Sequence, residues 1–328
     1  MNTKSIDAIA NAVLYEGYML YPYRPSSVKN RQRFNFGVLY PRAYSEAQSG
    51  SDAWSNQTEC LVEGSALTAI EVKVRFLKLV ARATGSQTSN GNVETSSSWQ
   101  EAIECDVTVP IRRLGQLASE PVVWPFSFPA RRDEEGSPEG HVVRTQELVE
   151  GTVRITAELV TNDLYKITIA VENLTAIDGG HQSRDQALMR SLVSAHTLLG
   201  VTDGRFMSLL DPPEELEEIA ASCRNIGTWP VLVGAEGDRD TILSSPIILY
   251  DYPQIAPESP GDLFDGTEID EILALRIMTM TDAEKHEMRH ADERSRKMLE
   301  RTETLPMEHL LKLHGTLREL RSVDEETP

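Results

Sequence analysis

Between residues 59 and 175 apolar and polar side chains alternate with a period of two, the pattern of strands with one buried face. Ile70, Val72, Val74 and Phe76 alternate with Glu71, Lys73 and Arg75, and Cys105, Val107, Val109 and Ile111 repeat the pattern. Val153, Ile155, Ala157 and Leu159 share one face of a first arm, and Ile167, Ile169 and Val171 share one face of a second. Only Thr161, Asn162 and Asp163 separate these arms, so the pair is expected to form a β-hairpin. Two polar stretches, 84–98 and 130–140, are each bounded by strand-like sequence and are expected to be mobile loops within one β domain. The arrangement predicted is an antiparallel β-sandwich.

Outside this region the period changes towards that of a helix. Ile6, Ile9, Ala10, Val13 and Leu14 predict a short helix within residues 1–20. Ser183 followed by Gln186 forms a capping box, and Leu188, Leu192, Ala195 and Leu199 then predict a helix that ends near Gly200. A second helix is expected over 211–222, where prolines precede a run of acids suited to the positive end of a helix dipole. Strands are expected at 229–234 and 246–252, followed by a proline-stiffened loop. Three helices complete the chain: one carrying Ile269, Ile272, Leu273 and Ile277, a charged, exposed one over 282–301 capped by Thr281 and Glu284, and one with a stripe of Leu310, Leu313, Leu317 and Leu320. The predicted class is therefore α+β, with a β-sandwich domain over 1–178 and a mainly helical domain over 179–328.

Charge alters this picture in one respect. The chain has 51 acidic and 32 basic residues, a net charge of −19, which opposes binding to nucleic acid or anionic lipid. Yet residues 21–42 hold no acid and interleave Tyr21, Tyr23, Phe34, Phe36 and Tyr40 with Arg24, Lys29, Arg31, Arg33 and Arg42. Such a segment can bind phosphate, carboxylates or an acidic protein surface, or its arginines can pair with the chain's own acidic tail while its aromatics fill the core. No apolar run is long enough for a membrane span or a signal peptide, and the three cysteines form no disulfide framework. The expected setting is the reducing cytoplasm.

Little in the sequence points to chemistry. Asp251, Glu258, Asp262, Asp265 and Glu268 could supply oxygen ligands, but their order does not match an EF-hand. His286 and His290 have helical i,i+4 spacing without the Glu of a zinc-protease motif, and His196, beside Leu192 and Leu199, fits a hydrogen-bonded core residue. His181 precedes the capping box in a loop. There is no GxSxG, phosphate loop or dinucleotide fingerprint, and no cofactor is expected.

The segments 14–42, 227–234 (GTWPVLVG) and 243–285 (LSSPIILYDYPQIAPESPGDLFDGTEIDEILALRIMTMTDAEK) resemble a bacterial protein family encoded with uptake nickel–iron hydrogenases. The resemblance implies a cytoplasmic accessory role, with a hydrogenase subunit or maturation factor as partner. The expected function is a non-enzymatic accessory or assembly protein. Its expected partner contacts are Arg24, Lys29, Arg31, Arg33 and Phe34 in the basic segment and Asp251, Tyr252, Asp262 and Asp265 in the acidic loop. The competing expectation is a metal-binding protein or metal-dependent enzyme that gathers His181, Asp251, Asp262 and Asp265 around one pocket.

Overall fold

The computed structural model describes residues 3–15, 34–87, 93–137, 140–177, 182–254, 277–291 and 293–304. The chain forms two compact units, one of residues 1–18 and 32–254 and the other of 19–31 and 255–328. The first is built on an antiparallel sheet of ten strands: β1 (Ser55–Gln87), β2 (Val93–Arg113), β3 (Val122–Phe128), β4 (Arg131–Ser137), β5 (Gly140–Gln146), β6 (Val149–Leu159), β7 (Leu164–Asn173), β8 (Val193–Met207), β9 (Trp229–Leu232) and β10 (Thr241–Ser245). The main path runs β3-β6-β7-β1-β8-β10-β9, while β2 and β5 also pair with β1 and β4 pairs with β5. The expected hairpin is β6–β7, with Ile155 opposite Ile169.

Strand β1 is the spine. Its first part, Ser55–Glu63, pairs with β7, and the part from Ala69 onwards pairs with β2. On its other side it pairs with β8 and then β5. Between Gly64 and Ala69 it advances five residues while β8 advances only from Thr202 to Gly204, which makes a bulge that bends the strand. Thr68 fills that bulge: its hydroxyl accepts from Ser65 N at 2.8 Å and donates to Asp203 O at 2.7 Å. A Cβ at Gly64 or Gly204 would lie within 2.7 Å of the Thr68 side chain, so neither position has room for a larger residue.

The bend brings distant strands face to face. Phe76 on β1 meets Phe126 and Phe128 on β3 at ring separations of 6.0 and 5.3 Å, although β3 lies at the far end of the sheet. The enclosed core holds Cys60, Val62, Val72, Val74, Val107, Ile155, Ile169, Leu199 and Ile242. At its end the buried Lys78 ammonium donates to Phe128 O and Pro129 O at 3.2 and 2.9 Å, and so ties the end of β3 to β1.

Three expectations change. The helix expected to run to Gly200 stops early: α4 spans Arg184–Leu188 behind the expected capping box, and β8 begins at Val193. Leu192, Ala195 and Leu199 satisfy a helical stripe, but Val193, Ala195, Thr197, Leu199 and Val201 also alternate, and pairing to β1 and β10 prevails over local preference. Residues 246–252 form no strand; Thr241–Ser245 does, and Pro246 follows it. The two stretches expected to be mobile loops belong largely to paired strands, β1–β2 and β4–β5. Ion pairs supplement the strand pairing there: Arg144 bridges Glu101 and Glu135 at 3.0 and 2.9 Å. Strands β8, β9 and β10, grouped by the sequence with the C-terminal helices, are thus part of the same sheet as β1–β7.

Helix α1 (Thr3–Leu14) lays Ile6, Ile9 and Val13 on Val231, Val233 and Leu243, on the sheet face opposite the core. Helices α2 (Arg42–Ala47), α3 (Leu114–Ser119) and α5 (Glu217–Ala221) are short, and Glu214–Leu216 forms the 3₁₀ turn before α5. In the second unit, α6 (Asp282–Ala291) starts at the expected Thr281–Glu284 cap, and α7 spans Glu293–Thr304. Lys285 and Arg289 both pair with Glu303, at 3.4 and 2.7 Å. Fourteen residues of straight helix would span about 21 Å, so these pairs require the two helices to lie side by side. The helices around Ile269 and Leu310 lie outside the described residues.

Near the end of α1 a polar network crosses β1, β2 and β8. Tyr15 donates to Glu104 at 2.6 Å, Arg75 pairs with Glu104 and Asp106, and Lys73 pairs with Asp106. His196 sits opposite Arg75, fully buried; its Nδ1 contacts Ser194 O at 2.9 Å, while Nε2 has no hydrogen-bond partner among the described residues. Burial, reinforced by Arg75 and Lys73 and only partly opposed by the Ser194 carbonyl and Asp106, pushes its pKa from 6.5 down to about 4. The unfolded chain therefore binds the extra proton first as pH falls. His196 contributes stability that is present above pH 6.5 and is lost as pH drops towards 4, on the order of 3 kcal/mol. Urea melts of the native chain across this window should lose stability more steeply than those of His196→Leu; identical slopes would refute the assignment.

Candidate functional site

After β10 the chain does not continue as a strand but lies along the sheet as a strap, 246–252. Its first residue, Pro246, packs on Gly37: a Cβ at Gly37 would stand 2.4 Å from Pro246 Cγ, and Gly37 also holds a positive φ of 51°. Ser245 Oγ donates to Ile247 O at 3.0 Å and turns the chain. Ile247 and Leu249 then pack with α1 and Val231, Val233 and Leu243. The far end is fixed by Asp251, which accepts from Ser208 Oγ on one oxygen at 2.6 Å and from Leu232 N on the other at 2.8 Å. Tyr252 N donates to Leu232 O at 2.7 Å, and the Tyr252 ring packs on the core at a φ of 56°, a left-handed conformation that is costly for an aromatic residue.

With alternate residues held inward, Ile248 and Tyr250 point outward and are 73% and 87% exposed. Trp229, opposite Ser245 at the start of the strap, is also exposed, as is Leu210 beside the Ser208 anchor. The result is an apolar ledge with an aromatic residue at each end of its Trp229–Tyr250 stretch, carried on backbone tethered at both ends.

Of the residues singled out by sequence, Asp251 and Tyr252 are the tethers of this strap, with their hydrogen-bonding groups turned into the protein. Asp262, Asp265 and His181 lie outside the described residues, as do Arg24, Lys29, Arg31 and Arg33. Phe34 is described and is buried, with a φ of 63°; Tyr40, also from the basic segment, is buried beneath the Arg184 guanidinium at 5.5 Å. Burial pushes the Tyr40 phenol pKa up to about 12 against the pull of Arg184. These two aromatics therefore act as packing residues.

Other candidate chemistry is quiet. Among the described residues no group of three His, Cys, Asp or Glu side chains is placed to hold a metal ion. Burial raises the pKa values of all three thiols, those of Cys105 and Cys223 to about 11, which keeps them protonated and weakly nucleophilic. Ile248 and Tyr250 escaped the sequence reading because PIILYDY is apolar on both alternating faces, the signature of a strand covered on both sides. Pro246 at its head was the available signal that pairing would fail there.

No protein-family model matches the chain, and the search of curated proteins found no match.

Proposed function

We propose that this is a non-enzymatic accessory protein that binds a partner protein through the ledge of Trp229, Ile248 and Tyr250. The observation that carries the reading is Tyr250, 87% exposed on a backbone held by Ser245, Asp251 and Tyr252. With the backbone already held, docking Tyr250 costs only the ordering of a side chain with two rotatable bonds, which suits it to anchor an interface. The sheet edges support the same mode. Edge strands β2, β3 and β9 contain Pro110, Pro125 and Pro230, and edge strand β4 carries Arg131, Arg132, Asp133, Glu134 and Glu135. Proline and dense charge discourage addition of a partner strand, which leaves side-chain docking as the favoured route. On this reading the curled sheet serves as a sandwich-like platform for the strap.

The partner proposed is a nickel–iron hydrogenase subunit or maturation factor, supported by the resemblance of segments 14–42, 227–234 and 243–285, and the setting proposed is the cytoplasm. No helix among the described residues is long and apolar enough to cross a membrane.

Co-purification with each protein of a hydrogenase gene cluster, followed by titration, tests this. The double substitution Ile248→Ala, Tyr250→Ala should weaken capture by about 10-fold or more while the melting temperature stays put. Undiminished capture, or no hydrogenase component bound by the native chain, would sink the proposal. Asp251→Ala should destabilise the protein by about 1–3 kcal/mol, because two hydrogen bonds lose their acceptor, and should speed hydrogen exchange at the amides of Leu232 and Tyr252. Asp251→Asn, which keeps one acceptor oxygen, should fall between.

A further inference from the structure

Beside α4 the sheet unit carries an open cleft of about 200 Å³, below the roughly 300–1,000 Å³ typical of sites for drug-sized ligands. Its lining is Glu147, from the β5–β6 connection, with Gln182, Gln186, Met189 and Arg190 around the helix. The polar atoms of this lining are incompletely used. Arg190 donates from both Nε and Nη2, at 3.3 and 3.1 Å, to the same oxygen of Glu147, Oε2. Glu147 Oε1 and Arg190 Nη1 have no hydrogen bond among the described residues. Gln186 Oε1 accepts from Ser183 N at 3.0 Å in the capping box, and its Nε2, on an exposed side chain, has no hydrogen bond among the described residues. Gln182 Oε1 is buried and has no hydrogen-bond partner among the described residues.

A buried acceptor without a donor is costly, and each such atom in a native protein calls for an explanation. Here it does not stand alone. The lining of the cleft offers an anionic acceptor (Glu147) and a neutral one (Gln182), and with them a cationic donor (Arg190) and a neutral one (Gln186). A simple anion would meet Glu147, and a simple cation would meet Arg190, so each is repelled by half of the lining. A small molecule bearing both charges satisfies all four groups.

We propose that this cleft binds a free α-amino acid of small side chain. Its carboxylate accepts from Arg190 and Gln186, its ammonium donates to Glu147 and Gln182, and its side chain lies against the Met189 thioether. The site is separate from the strap and does not depend on partner binding there.

The test is calorimetric titration of the full-length protein with glycine, alanine and serine, beside acetate and methylamine as single-charge controls. At least one amino acid should bind saturably, and both controls should bind about 10-fold more weakly or worse. Glu147→Gln and Arg190→Gln should each cost a similar factor. Gln182→Leu removes the buried acceptor and leaves the ion pair intact, so it should weaken the amino acid while circular dichroism shows a native fold. Absence of saturable binding by all three amino acids, binding by acetate or methylamine equal to theirs, or unchanged affinity in Gln182→Leu would overturn the proposal.

Discussion

Backbone hydrogen bonding along β1 is the constraint on which the rest depends. One strand of 33 residues pairs with β7, β2, β8 and β5, so the positions of four other strands follow from its course. That course is set by the bulge around Thr68, where a single hydroxyl satisfies two backbone groups and two glycines leave it room. Because the bend carries Phe76 onto Phe126 and Phe128, the core closes between parts of one sheet. Lys78 completes the seam by donating to the carbonyls of Phe128 and Pro129 at the end of β3. Burial lowers its pKa, the direction expected for an ammonium held away from water.

The opposite face of the sheet is used differently. Near the end of α1 it carries a charge network of Tyr15, Lys73, Arg75, Glu104 and Asp106, and elsewhere the apolar patch shared by α1 and the strap. Helix α1 and the strap therefore rest on the same residues, Val231, Val233 and Leu243. The strap that carries the exposed ledge thus shares its apolar cluster with α1, although the two are more than 200 residues apart in sequence.

How far the amino-acid sequence discloses this varies with the range of the interaction. Local features were legible: the alternation in β6 and β7, the Ser183–Gln186 cap and the Thr281–Glu284 cap all depend on residues a few positions apart. The conversion of 193–200 from expected helix to strand was not, since the deciding partners are β1, some 130 residues upstream, and β10 downstream. The polar hairpin arms were hidden for another reason. Arg131, Arg132, Asp133, Glu134 and Glu135 are what a solvated loop contains, and only their register against β5, where Arg144 meets Glu135, makes them a strand. For the candidate site, the sequence marks Asp251 for a charge offered to a partner or a metal, whereas its oxygens hold the strap down, and the exposed side chains are its neighbours.

The pairing of Ile70 with Val201 and of Leu61 with Met207 also bears on how the molecule is made. As the chain leaves the ribosome, one edge of β1 lacks its β8 partner until residue 207 has emerged. Throughout that interval the alternating apolar face of β1 and β2 is available to other chains, and closure then requires a large loop to be brought together at once. High mean sequence separation of contacts makes such topologies slow to fold and exposed to aggregation while they wait. The prolines in β2 and β3, both synthesised before β8, lie in the strands that stand open longest, so they guard the nascent chain as well as the finished one.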